Sequence, residues 1–358
     1  MKILKLIRIQ NLLMIAFMQI IFRYGFLKKI TENYLSLSDF QFALLVLSTV
    51  CIAAAGYIIN NIIDQENDAI AKPQSRIVGV SISEAMAYNL YVVFNLIGVG
   101  IGFYLSNIIG KPSFATIFIL IAALLYIYST SLKHIVIVGN VVVSIVLSLS
   151  LLILGMFDLF PAIHDGNQEQ MSKVFSILLD YAIFAFIINL IREIVKDLED
   201  MDGDKASGVN SLAIVLGINK TTKLLFAIAL VSIGLFLYYL NQNLLQFDYV
   251  LYYALLLIVG PLLYFAIKVV TAKTKAEFHH LSTILKVILF FGIISILVVN
   301  YCLTNIYLGV LTQTMQLSNI KIINKIIELK AVLIKTGIFM SLAAYWGVIL
   351  VGTFITFN

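Results

Sequence analysis

Asn60-Asn61-Ile62-Ile63-Asp64-Gln65-Glu66-Asn67-Asp68 closes a long apolar run that begins at Phe42. The run is long enough to cross the ~30 Å hydrocarbon layer of a bilayer as a helix. Acidic and amide side chains are costly in hydrocarbon, so their gathering at the lip of an apolar helix calls for a partner. Asn60, Asp64 and Asp68 are spaced four apart. On a helix each such step turns about 40° past a full circle and rises ~6 Å, so the three oxygen-bearing groups share one slowly winding face. Oxygen ligands without His or Cys suit a hard cation, and Mg²⁺ typically joins one or two carboxylates to substrate phosphates.

A second acidic stretch, Arg192-Glu193-Ile194-Val195-Lys196-Asp197-Leu198-Glu199-Asp200-Met201-Asp202-Gly203-Asp204, closes another apolar run, Val174 to Ile191. Glu193, Asp197, Asp200 and Asp204 fall at i, i+4, i+7 and i+11, one helical face. Two such faces at two membrane-helix ends can hold two metal ions between them and clamp a diphosphate as a leaving group. Lys196 is embedded among the acids and is the leading candidate to touch that diphosphate.

These motifs resemble those of the UbiA superfamily of intramembrane prenyltransferases, which carries Asn-Asp-x-x-Asp-x-x-x-Asp after its second helix and Asp-x-x-x-Asp after its sixth. Asn60, Asp64 and Asp68 match the first motif, and Asp200 and Asp204 the second. Lys196-Asp197 in front of the second is as in the branch that prenylates glycerol phosphates. Tyr128 to Lys133 resembles a third shared feature, a Tyr and a Lys after the fourth helix, and Asn11 resembles an early Asn of the family. Asn61 stands where the family usually has Asp, which leaves one ligand position neutral. The basic tail of the first motif is thinned to Lys72, Pro73 and Arg76. The resemblance spans roughly residues 5 to 305.

Composition supports a membrane setting. Hydrophobic residues make up 61% of the 358-residue chain and charged residues 12%; mean hydropathy is +1.02. Soluble domains are nearer half apolar and a quarter charged. The formal charge of +5 does not point to nucleic acid, because Lys and Arg sit in short loops at helix ends, the pattern of topology and lipid-headgroup contact. Cys51 and Cys302 are lone cysteines in apolar runs and read as small apolar residues. His279-His280 reads as a solvated helix end. The N-terminus has no small-x-small cleavage site and reads as a retained first helix.

The spacing predicts an all-α bundle of about nine spans around a central cavity: Gln10–Phe26, Phe42–Ile63, Glu84–Leu105, Ser113–Ser131, Ile135–Phe157, Val174–Ile191, Thr222–Leu240, Tyr249–Val270 and Ile284–Leu303. Basic residues before the first span and after the even-numbered spans place those ends in the cytoplasm, with both acidic motifs. The expected setting is a prokaryotic plasma membrane. Asp158 to Lys173 reads as an outer loop rich in acids. Residues 1–305 form the expected enzyme domain. Residues 306–358 form an extension, with an interfacial amphipathic helix over Ile320–Leu329 and an apolar stretch, Ile338–Phe357, long enough to span.

The resemblance implies a Mg²⁺-dependent prenyltransferase whose partners are an allylic polyprenyl diphosphate and a lipid-soluble acceptor. Asn60, Asp64 and Asp68 would hold one ion, and Asp197, Asp200 and Asp204 the other. Asn11, Asn60, Lys72, Arg76, Tyr128, Lys133 and Arg192 would bind substrate. The acceptor branch reads first as a prenyl-glycerol phosphate and second as an aromatic quinone precursor. A cation-coupled transporter is disfavoured, because the acids lie at the lip rather than at midplane. The CDP-alcohol phosphotransferase motif is a poor match, because Asp202-Gly203-Asp204-Lys205-Ala206 is followed by Ser207 and by no downstream Asp pair.

Overall fold

The computed structural model describes residues 2–31, 34–65, 69, 76–206, 208, 210–243 and 247–316. Asp68, Lys72 and the expected tail helix and extra span lie outside the described residues, as does the side chain of Cys302.

Among the described residues nine helices are long and apolar enough to cross a membrane: α1 (Ile9–Ile30), α2 (Asp39–Ile63), α3 (Glu84–Ile108), α4 (Pro112–Thr130), α5 (Val138–Ala162), α6 (Gln168–Lys205), α7 (Ile218–Gln242), α8 (Asp248–Val269) and α9 (Lys275–Tyr301). No β-strand occurs among them. The chain is an integral membrane protein of the expected all-α class. Helices are the economical answer in hydrocarbon, since each satisfies its own backbone donors and acceptors.

Two boundaries differ from the sequence reading. The helix of α6 continues unbroken past the expected span end at Ile191 to Ala206, so the second acidic motif lies on the same helix as the span, on the helical face its spacing implied. The stretch after Ile191 contains no proline, and Glu193 and Lys196 pair one turn apart at 2.9 Å, which favours helix. At the start of α5 the helix begins at Val138 rather than Ile135, because Ile137 adopts a positive φ of 67°.

Small residues set the closest approaches. Gly98 of α3 lies against α2: a Cβ there would meet the Ser48 carbonyl oxygen at 3.1 Å, and the Ser48 hydroxyl donates to the Gly98 carbonyl at 2.6 Å. This is the small-residue and hydroxyl packing expected where lipid offers no hydrophobic drive between helices. Gln19, buried in α1, donates to the Ser150 carbonyl of α5 at 2.8 Å.

The end of the bundle away from the acidic motifs is tied by an ion-pair cluster. Arg23 of α1 donates through Nε to Asp158 of α5 at 2.7 Å and through Nη1 to Asp39 at 2.7 Å. The other Asp158 oxygen accepts from the Leu37 backbone N–H at 2.9 Å. Asp158 is therefore not an exposed loop acid: it is fully buried, and its charge is met by a guanidinium and a backbone donor, as a buried charge requires. Arg23 and Asp158 both lie in single π-turns, 23–27 and 155–159, a common device for re-aiming a side chain out of a helix.

Candidate active site

At the opposite end the helices surround a cavity of about 1190 Å³. Its mouth is lined by Asn60, Asp64, Lys133, Asp197, Asp200 and Asp204, and its deeper wall by Ile15, Ile52, Phe118, Leu125, Val146 and Ile153. A polar end thus passes into an apolar one, and the volume exceeds the ~300–1,000 Å³ usual for a single small-ligand pocket.

The two acidic motifs meet here, brought together by the connector between α4 and α5. Lys133 of that connector donates to one oxygen of Asp64. Asn60 Nδ2 donates to the other at 2.8 Å. Seven residues after Lys133, Asn140 in the first turns of α5 donates through Nδ2 to Asp197 of α6 at 3.0 Å. One short piece of chain therefore touches both motifs. Its shape depends on Gly139, where a Cβ would meet the Lys133 Cα at 2.9 Å. Ile137 also pays for this turn with a positive φ, a conformation that β-branched residues avoid. Burial and the adjacent Lys133 ammonium hold His134 below the usual imidazole range.

On α6, Glu193 accepts from Arg192 at 2.6 Å and from Lys196 at 2.9 Å. Asp200 and Asp204 line the cavity on the same helical face, whereas Asp202 is exposed. At the chain's start Arg8, with an αL backbone at φ 48°, stacks its guanidinium over the Tyr57 ring at 5.2 Å. Asn11 donates to the Tyr57 hydroxyl at 3.1 Å, and its own Oδ1 is buried with no hydrogen-bond partner among the described residues. A non-glycine residue held in αL carries a backbone cost, and such residues cluster at functional sites.

Asn11, Asn60, Asp64, Tyr128, Lys133, Arg192, Lys196, Asp197, Asp200 and Asp204 all line this one cavity. Arg76 does not. The tight turn at Gly79, with φ +79°, folds its loop back, and Arg76 Nε donates to the Val78 carbonyl at 3.1 Å. In this structure Arg76 braces its own loop and does not line the cavity with the other expected site residues. His279 lies in the first turns of α9, half-exposed as the sequence reading expected of that helix end, and its Nδ1 lies 2.8 Å from Glu199 Oε1 at the cavity rim. Asn61 turns its amide back to the Tyr57 carbonyl at 2.8 Å. Sequence reasoning gave no site role to Arg8, Asn140, Glu199, His279 and Lys286. Of these, Lys286 carried a legible signal, a charge within an apolar run.

The donor set fits a hard divalent cation. The acids supply oxygen only, from two motifs facing one cavity. Among the described residues no three His, Cys, Asp or Glu side chains converge as a closed cage.

Comparison with known proteins agrees with this arrangement. The chain is 29% identical over 269 residues to the digeranylgeranylglyceryl phosphate synthase of Korarchaeum cryptofilum, covering 74% of this chain and 88% of that protein. It is 30% identical over 296 residues to the enzyme of the same name from Saccharolobus solfataricus, covering 82% and 94%. A solved structure concerned with digeranylgeranylglyceryl phosphate synthase in membranes shares the fold, with a TM-score of 0.56 at 22% identity over 84% of this chain and 96% of that one. A profile of the UbiA prenyltransferase family matches residues 32–291. The chain, with its two acidic motifs on one cavity among membrane-spanning helices, belongs to the UbiA prenyltransferase family and is a prenyltransferase.

Proposed function

We propose that this enzyme transfers a polyprenyl group from an allylic polyprenyl diphosphate to the free hydroxyl of a phosphorylated prenyl-glycerol lipid, with Mg²⁺, at the cytoplasmic face of a prokaryotic plasma membrane. The observation that carries the reading is the convergence of both acidic motifs on the polar mouth of a cavity whose deeper wall is apolar. The names of its relatives support the acceptor class.

In this reading the diphosphate lies at the mouth and the isoprenoid tail runs along Phe118, Leu125 and Val146. Mg²⁺ held by Asn60, Asp64 and Asp68, and by Asp197, Asp200 and Asp204, would supply charge neutralisation for the leaving diphosphate. Lys133 and Lys196 add cations where negative charge builds as the allylic carbon–oxygen bond breaks, the place where preorganised charge acts most. Asn140 holds Asp197 in place. The rings of Tyr57 and Tyr128 face the cavity and can steady the allylic cation. The acceptor oxygen then bonds to the allylic carbon and its proton leaves with the diphosphate. The apolar wall keeps water from capturing the cation.

The test is product formation by the purified protein from geranylgeranyl diphosphate and geranylgeranylglycerol phosphate, with diphosphate measured in parallel. Transfer with Mg²⁺ that stops on adding EDTA is expected. Prenylation of 4-hydroxybenzoate, with none of the glycerol phosphate, would overturn the acceptor.

A further inference from the structure

Beside the acidic motifs the cavity holds a second charged layer. The Glu199–His279 pair ties α6 to α9 at the rim. Moving into the membrane from that pair, Arg192 lies seven residues along α6 and Lys286 seven residues along α9. The two helices run in opposite directions, so Arg192 and Lys286 reach the same level, ~10 Å below the rim. Both line the cavity, and both are more than nine-tenths buried, at 7% and 4% exposure. Ser282, also buried, sits on the same face of α9 between His279 and Lys286.

The charges in this layer do not balance. One carboxylate, Glu193, accepts from both Arg192 and Lys196. Lys286 makes no hydrogen bond or ion pair among the described residues; its charged neighbours are the cations Arg192 and Lys196 and, beyond ion-pair distance, the carboxylates Glu199 and Glu193. Arg192 Nε is buried without a hydrogen-bond partner. Buried cations that outnumber their carboxylates at membrane depth call for an anion. That layer lies ~12 Å along α6 from Asp200 and one turn from Lys196, on the tail side of the leaving diphosphate.

We propose that Lys286 and Arg192, with the Ser282 hydroxyl, form a subsite for the phosphate monoester of the acceptor lipid, separate from the diphosphate site. The proposal rests on the glycerol-phosphate reading above. It gives the enzyme a means of selecting phosphorylated acceptors: a guanidinium and an ammonium together satisfy a phosphate dianion, and an acceptor without phosphate leaves both cations unpaired. Anchoring the phosphate also holds the neighbouring hydroxyl toward the allylic carbon.

The test compares the full-length wild-type enzyme with Lys286→Met and Lys286→Arg, using geranylgeranyl diphosphate with either geranylgeranylglycerol phosphate or the dephosphorylated geranylgeranylglycerol. Lys286→Met is expected to raise KM for the phosphorylated acceptor at least tenfold and to leave KM for the donor within twofold. The preference for phosphorylated over dephosphorylated acceptor should collapse, and Lys286→Arg should restore most of it. Inorganic phosphate should compete with the acceptor in the wild type and no longer in Lys286→Met. A raised donor KM with unchanged acceptor KM would show that the lysine serves the diphosphate and would overturn the subsite. A lowered Tm with the acceptor preference intact would show a structural role and overturn it too. Wild-type enzyme that makes no product from the phosphorylated acceptor overturns the functional reading, and the subsite with it; wild-type turnover with an unchanged variant overturns the subsite alone.

Discussion

Asp64 and Asp200 belong to different helices and face the same cavity, and each would act on charge that grows as the donor bond breaks. Removing one preorganised electrostatic contact commonly costs ~2.7–4 kcal/mol, about 10²–10³ in rate. Asp64→Ala and Asp200→Ala are therefore expected to lose at least that much turnover, while remaining inserted and folded. Asp202 is exposed and off the cavity face, so Asp202→Ala should stay within a few-fold of wild type. Prenyl transfer from radiolabelled donor at saturating Mg²⁺ measures all three; an essential Asp202 beside a dispensable Asp200 would refute the helical-face reading. Asn61 teaches a related lesson. Its neutral amide donates to the Tyr57 carbonyl, a bond that a carboxylate in the same pose could not make, so the departure from the family's Asp has a local use.

At the scale of elements, the α4–α5 connector joins the site. Lys133 reaches α2, Asn140 reaches α6, and Gly139 lets the chain pass close enough for both. A methyl group at Gly139 would press on the Lys133 backbone at 2.9 Å, and backbone cannot swing aside as a side-chain tip can. Overpacking of this kind costs about 1–3 kcal/mol, and a misplacement near 1 Å can cost about 10²-fold in rate. Gly139→Ala should accordingly lower turnover at least tenfold while shifting Tm by only a few degrees. Thermal unfolding in detergent beside the transfer assay checks this. Retained turnover would show that the connector does not position the site.

For the whole molecule, one cavity fed by the C-terminal ends of α2, α4 and α6 and the N-terminal end of α9 requires that these ends share a side of the membrane. The N-terminal Arg8 and Asn11 lie there as well. Reporter fusions after Lys72 and after Asp204 should both read as cytoplasmic, in keeping with the basic residues that flank these ends. Fusions reporting opposite sides would be incompatible with a shared site. The Arg23–Asp158–Asp39 cluster marks the other end of the bundle, where charge closes helix packing and takes no part in the chemistry.

Hydropathy alone determined the nine spans of the described residues and their order, because a run of about 20 apolar residues has one economical conformation in hydrocarbon. The spacing of Asn60, Asp64, Asp197, Asp200 and Asp204 showed which helical faces carry the oxygen-bearing side chains, since the helical period is set by the backbone. Tertiary structure alone decided what meets across the bundle. Asp158 looked like a loop acid until Arg23 was found against it. Arg76 reads in the sequence as part of the basic tail of the first motif, and the structure shows it bonded to its own loop at Val78. Arg192 and Lys286 lie 94 positions apart in the chain, and only the Glu199–His279 register brings them to one level. Periodicity is local and survives in the sequence; the pairing of distant charges depends on how helices stack, and no single helix records it.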